Sequence, residues 1–209
     1  MNFRRFNPIF TVGHSIHDTT TFCQLLKRNE IEVVLDVRSS PYSRRAPHFN
    51  RGALQQMLRA NEVRYCFGGR ALGGRPENPR MYVGGQADYR QMAASDQFVA
   101  SIRRVARGAK VANVALLCAE ADPIECHRFL LVGRALHDRG LEVQHILANS
   151  SLESHKDAEQ RMLVATRLSQ TDVFASSDDV LALAYERQAA RYAYVEAPIS
   201  HNISGFESE

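Results

Sequence analysis

No stretch of this chain approaches the ~18 consecutive apolar residues of a membrane-spanning helix, and residues 1–15 carry no apolar run of the signal-peptide kind. A cytoplasmic setting without a membrane partner is therefore expected. Cysteine is scarce: Cys23, Cys66, Cys118 and Cys126 stand at irregular spacing in 209 residues. Four such residues do not make a disulfide framework in a chain of this size, and reduced thiols are expected. There is no GxxxxGK[ST] phosphate loop, and no GxGxxG follows a strand, so neither ATP nor a dinucleotide has direct support. No cofactor is expected.

Lysine is also nearly missing. Of 26 basic residues only Lys27, Lys110 and Lys156 are lysine, and the formal net charge is a modest +3. A GC-rich coding sequence would raise arginine throughout, so the distribution carries more information than the total. Between Arg38 and Arg80 stand nine arginines against two acids, Glu62 and Glu77. Guanidinium forks match phosphate oxygens bidentately, which points this segment, Arg44 and Arg45 included, at an anionic partner. Tyr42, Phe49, Tyr65, Phe67, Tyr82 and Tyr89 interleave with those arginines, as on surfaces that stack against bases.

What is present is a regular alternation. Residues 9–13, 31–37, 63–67, 111–119 and 141–147 read as strands, the second and fourth apolar enough to be buried on both faces. Helical patterns occupy 20–28, 52–61, 88–107 and 124–139, and Gly140 follows the last as a C′ glycine would. Strands alternating with helices predict an α/β fold: a three-layer, mainly parallel, Rossmann-like sheet with helices on both faces. Beyond about residue 147 the sheet pattern stops. Helices are expected at 157–168 and 178–192, then a tail at 200–209, giving an α/β domain over 1–160 and a C-terminal helical extension over 161–209. Two loops, 39–51 and 68–85, are too long and too rich in Gly, Pro and Arg for plain connectors, and such loops tend to carry function.

The densest chemistry lies in residues 116–128, LLCAEADPIECHR. A strand ends at Cys118, an acidic loop follows, and Asp122, Pro123 and Glu125 read as cap, first position and third position of a new helix. Cys126, His127 and Arg128 would then share its first turn, where the helix dipole favours an anion or a thiolate. On this reading Cys126 is the reactive thiol, and Cys118, Glu120, Cys126 and His127 are the candidate catalytic residues. A metal reading is the alternative, but C-x7-C-H is not the spacing of a zinc knuckle or ribbon. His14, His145 or His155 would have to complete the set, and no metal is assigned. The other strand ends supply candidate ligand-binding residues: Gly13, His14 and Ser15 after the first strand, then Asp36 and Arg38 with Ser43, Arg44 and Arg45 after the second. Gly73, Gly74 and Arg128 complete that set. All are expected at one carboxyl edge of the sheet, where open α/β sheets bind ligands.

In order along the chain, Thr11-Val12-Gly13-His14-Ser15, Asp36-Val37-Arg38-Ser39 with Pro41 and Ser43, Phe49, Tyr65, Leu72-Gly73-Gly74, Leu117-Cys118 with Glu120, Cys126-His127-Arg128, His145-Ile146 and His155 form a pattern. By it the chain resembles the family known as domain of unknown function 488, over about residues 9–160. The resemblance implies an α/β fold and a polar pocket built from these motifs, and it brings no established activity. The expected function is an enzyme acting on a phosphate-bearing substrate, a nucleotide or nucleic acid. The alternatives are a nonenzymatic nucleic-acid-binding module and a thiol-based redox or sulfur-handling protein.

Overall fold

The computed structural model describes residues 7–168 and 176–196; the tail expected at 200–209 lies outside them. The first strand, β1 (Ile9–Gly13), is followed by helix α1 (Thr19–Arg28). Asp18 starts that helix, its carboxylate accepting the Thr21 N–H at 2.7 Å. Strand β2 (Val33–Asp36), helix α2 (Arg51–Ala60) and strand β3 (Arg64–Phe67) continue the alternation. The second long loop is partly ordered into the short helix α3 (Gly69–Leu72) and a small hairpin, β4 (Tyr82–Val83) with β5 (Gln86–Ala87).

The single helix expected at 88–107 is two. Helices α4 (Tyr89–Ala94) and α5 (Asp96–Gly108) meet at Ser95, which leaves helical geometry (φ −71°, ψ 141°) to cap α5 through Phe98 N–H. Strand β6 (Val114–Cys118) then runs through the middle of the sheet. The segment expected as one helix over 124–139 also divides. Pro123–Glu125 is a single 3-10 turn, Cys126 is extended, Arg128–Gly133 is a π-helical turn, and only Arg134–His137 (α6) is α-helical. Gly133 suits the wide turn, because a side chain there would bring its Cβ within 2.8 Å of the Arg128 carbonyl oxygen. Gly140 does end this region with a positive φ of 76°, where a side chain would be strained.

Strand β7 (Val143–Ile146) pairs with β1, and one further strand follows it. Where the sequence pattern suggested that the sheet stops, β8 (Leu152–Ser154) adds an antiparallel edge to β7. Three residues, one of them apolar, leave too short a pattern to read. Helices α7 (His155–Ala165) and α8 (Ser177–Tyr192) close the described chain, and the division drawn after residue 160 falls inside α7.

The sheet order is β3-β2-β6-β1-β7-β8, parallel throughout except β8. Alternate side chains of β1 and β6 feed opposite faces. Phe10, Val12, Ala115 and Leu117 pack with α1 and α2 through Phe22, Leu25, Leu54 and Leu58, whereas Ile9 and Leu116 pack with α5 and α6 through Ile102, Val105 and Leu136. That is the expected three-layer arrangement. A third apolar cluster joins Ile124, Phe129 and Leu130 to Ala158 and Met162 of α7 and to Ala184 and Tyr185 of α8.

Beneath that cluster lies a directional polar chain. The Thr11 hydroxyl donates to His145 Nδ1 (2.8 Å), His145 Nε2–H donates to His155 Nδ1 (3.1 Å), and His155 Nε2–H donates to the Tyr185 hydroxyl (2.9 Å), which donates to Glu159 Oε1 (2.8 Å). One donor and one acceptor per imidazole satisfies every member with both histidines neutral. Burial drives this: it lowers His145 well below its ordinary value and His155 to about 3. Although His155 Nε2 and Glu159 Oε1 are 3.8 Å apart, the hydroxyl of Tyr185 rather than an ion pair links them.

Candidate active site

Register places the functional strand ends side by side. Gly13 of β1 stands opposite Cys118 of β6, and Asp36 of β2 stands opposite Leu117. At Gly13 a Cβ would collide with the Glu120 carbonyl oxygen, so glycine is what lets the 119–122 loop cross the end of β1. The loop is tied there by His14 N–H to Cys118 C=O and Ser15 N–H to Ala119 C=O, both 2.9 Å.

A cavity of about 480 Å³ opens at this edge. Its floor is Cys118, Glu120, Cys126 and His127. Glu120 Oε2 accepts from Cys118 Sγ at 2.8 Å and from Cys126 Sγ at 3.0 Å, and His127 Nδ1 lies 3.7 Å from each sulfur. The four candidate ligand atoms all fall within 4.8 Å of one another. His127 Nε2–H donates to the Val37 carbonyl at 3.0 Å, which turns the Nδ1 lone pair toward the thiols. Burial opposes the Glu120 charge, but the two thiol hydrogen bonds and His127 hold its carboxyl down to about 2. Burial, then Cys118 and Glu120, push the Cys126 thiol well up. Burial works against protonation of His127, yet Cys126 and Glu120 raise it.

The backbone here corrects the expected placement of Cys126. Asp122 caps as expected, accepting Ile124 N–H at 3.1 Å, but the turn it opens is spent by Glu125. Cys126 therefore sits in extended backbone before the π-turn rather than in the first turn of an α-helix, and it is 2% exposed. Dipole stabilisation of a free thiolate is lost with that geometry. Glu125 completes no capping box; its carboxylate accepts from the Tyr192 hydroxyl at 2.7 Å.

The walls come from four places. His14 and Arg38 stand beside the floor. The 39–51 loop contributes Ser39, Ser40, Tyr42 and Ser43, the 68–85 loop contributes Gly74 and Arg75, and Tyr89, Tyr192 and Tyr194 complete the rim. His14 donates through Nδ1 to its neighbour's carbonyl, Ser15 O (2.9 Å), accepts from Arg38 Nη1 at Nε2 (3.1 Å), and stacks on Phe49 at 4.4 Å. Burial and then the Arg38 charge outweigh what raises it, and its pKa falls to about 4. Gly74 passes so close to His127 that a Cβ would lie 3.0 Å from the ring. The guanidinium of Arg75 sits over the Tyr194 ring, 4.5 Å from its centroid.

Of the residues expected to bind ligand, His14, Arg38, Ser43 and Gly74 line the cavity. Asp36 is wholly buried behind Arg38, which it holds bidentately while accepting from the Tyr65 hydroxyl. Arg128, 0% exposed, lies under the loop and donates to the carbonyls of Glu120 and Ala121. Both position the site from behind. Gly13 and Ser15 shape the β1 turn, Gly73 packs where a Cβ would meet the Ser39 hydroxyl, and Arg44 and Arg45 are exposed outside the lining. Tyr89 and Arg75 lie within the expected interleaving of aromatics and arginines though outside the candidate site set, whereas Tyr192 and Tyr194 carry no such signal in the sequence. None of the three histidines considered as a fourth partner for Cys118, Cys126 and His127 takes that place, which Glu120 fills.

No helix among the described residues is long and apolar enough to cross a membrane. No curated protein and no solved structure matches the chain. One family does. The model described as Domain of unknown function DUF488 matches residues 18–135, more than half of the chain, spanning the Arg38 loop, β6 and the whole Cys-Glu-Cys-His floor, and the chain belongs to that family.

Proposed function

We propose that the protein is an enzyme acting on a phosphate-bearing substrate, a nucleotide or the end of a nucleic acid, held in the strand-end cavity. The observation that carries this reading is the presence of two kinds of lining group around one floor. Arg75 and the hydroxyls of Ser39, Ser40 and Ser43 are suited to phosphate oxygens. The rings of Tyr42, Tyr89, Tyr192 and Tyr194 in the same lining are suited to a flat base. Below both, Cys118, Glu120, Cys126 and His127 concentrate groups able to take up a proton or polarise a bond, in a concave site of ligand size.

The test is titration of mononucleotides, and of short DNA and RNA strands, into wild type, Arg75→Ala and Glu120→Gln. Arg75→Ala should weaken binding, while Glu120→Gln should bind and abolish turnover of the ligand that binds best. Absence of binding to every one of these ligands at low salt would sink the proposal. Binding with no turnover under any condition tried, and equal binding by both variants, would favour the nonenzymatic nucleic-acid module instead.

A further inference from the structure

We infer that Cys118, Cys126, His127 and Glu120 form a binding site for a transition-metal dication, zinc by its chemistry. The assignment goes beyond the phosphate-bearing substrate and stands on the side-chain cluster alone. Three observations converge on it.

The first is spacing. Metal–ligand bonds of ~2.3 Å to sulfur and ~2.0 Å to nitrogen, opened at a tetrahedral angle, separate sulfur from nitrogen by about 3.5 Å. Both cysteine sulfurs lie 3.7 Å from His127 Nδ1. The carboxylate oxygen, at 2.8 and 3.0 Å from the sulfurs, is closer than the ~3.5 Å of a filled tetrahedron. Its side chain is the adjustable member, and it backs toward the open cavity to admit the ion.

The second is the surroundings of each donor. Metal-bound histidine characteristically donates its other ring N–H to a carbonyl or carboxylate, which fixes the tautomer and the ring plane. His127 Nε2–H on Val37 O, at 3.0 Å, is that arrangement, and Gly74 lies against the ring's flank. Cys126 Sγ in turn accepts the Arg128 backbone N–H at 3.4 Å, which favours the thiolate that a metal requires. Arg128's own side chain pins the Glu120 and Ala121 carbonyls, so the loop that carries the adjustable ligand is itself held.

The third is ligand type. Two thiolates and an imidazole are soft to borderline donors, which select zinc and its neighbours over magnesium or calcium. Cys118 ends a central strand and the other two ligands are adjacent in sequence, so the set is rigid on three corners. The fourth corner, Glu120, faces the cavity, which is where an incoming substrate atom would meet the ion.

The experiment uses the full chain, purified under reducing conditions, stripped with a chelator and titrated with Co²⁺ and then Zn²⁺. Expected are one Co²⁺ per chain, the intense visible bands of tetrahedral cobalt, a thiolate-to-cobalt charge-transfer band, and displacement of all of them by Zn²⁺. Cys118→Ala and Cys126→Ala should each lower metal affinity about tenfold or more, whereas Cys23→Ala and Cys66→Ala should leave it unchanged. The wild-type spectrum reads thiolate coordination directly, so the proposal remains testable if a ligand variant does not fold. No charge-transfer band in wild type, or a band that survives in folded Cys118→Ala or Cys126→Ala, overturns it. Repeating the nucleotide titration on stripped and loaded protein separates the two proposals: cobalt bound without any nucleotide binding removes only the substrate reading, and nucleotide binding without cobalt removes only the metal site.

Discussion

The guanidinium of Arg38 embraces the carboxylate of Asp36, Nε reaching Oδ1 at 2.9 Å and Nη2 reaching Oδ2 at 2.7 Å, with both residues buried. Two further donors are used as well: Nη2 also reaches Phe49 O, and Nη1 reaches His14 Nε2. One ion pair thereby fixes the loop after β2, the Phe49 turn and the His14 ring. Removing one partner of a buried pair leaves an uncompensated charge and costs about 3–5 kcal/mol. Asp36→Ala should lower unfolding free energy by that amount in a urea titration, and Asp36→Leu combined with Arg38→Met should recover part of it. A loss below about 1 kcal/mol for Asp36→Ala would contradict this role.

Gly13 is predicted to be intolerant of even one methyl group. In Gly13→Ala the new Cβ meets the Glu120 carbonyl, and backbone has little room to yield. Overpacking of this kind costs about 1–3 kcal/mol. Thermal melts should show that loss, and the cobalt spectrum should weaken because Glu120 moves with its carbonyl. Unchanged values of both would show that the loop is freer than its hydrogen bonds to His14 and Ser15 imply.

Arg75 should contribute to phosphate binding without contributing to stability, since its side chain is exposed and rests on Tyr194. A charge-assisted hydrogen bond is worth about 1.5–3 kcal/mol, so Arg75→Ala should weaken nucleotide affinity roughly ten- to hundredfold. Affinity in wild type should also fall steeply as salt rises. A salt-independent affinity would mean that stacking on tyrosines carries the binding instead.

Acid should weaken the fold through His145 and His155. Both are lowered in the folded protein from an ordinary 6.5, so the unfolded chain binds more protons below that pH. Stability is fully present above pH 6.5 and declines as pH falls from there toward about 3, by about 1.4 kcal/mol per pH unit for each histidine. Glu159 acts in the opposite direction: burial raises its carboxyl, and protonating it on acidification relieves a penalty. That offset ends below the ordinary 4.5, where Glu120, held down to about 2, adds a loss of its own, so the decline should steepen toward the acid end of the window. Chemical denaturation in steps from pH 8 to pH 4 measures it, and a profile flat from pH 7 to pH 5 would exclude neutral buried histidines.

The sheet was legible wherever a strand was long enough to show composition. The buried runs of β1 and β6 and the half-buried β2 announce themselves by β-branched and apolar residues, and β8 does not because its Leu-Glu-Ser has no periodicity. The helix expected at 124–139 has good local signals in Asp122 and Pro123, yet the buried Arg128 and the small Gly133 resolve it into a π-turn. That substitution of one helical period for another is a tertiary effect, invisible to spacing. For the site, motifs at strand ends found the floor because topology gathers such ends at one edge. They did not separate the residues that face the cavity from those that brace it. Asp36 and Arg128 carry the same chemistry as a ligand-binding pair would, and only the direction of the side chain tells the difference.

The polar chain from Thr11 to Glu159 has a consequence for how the cavity could be altered. It anchors α8 to the sheet at Tyr185, and from that anchorage the helix delivers Tyr192 and Tyr194 to the rim. The family match takes in the four floor residues and ends at residue 135, ahead of Tyr192 and Tyr194. Grafting a different helix that keeps Tyr185 but changes the residues at 192 and 194 would recut the entrance while leaving the four reactive groups below it in register.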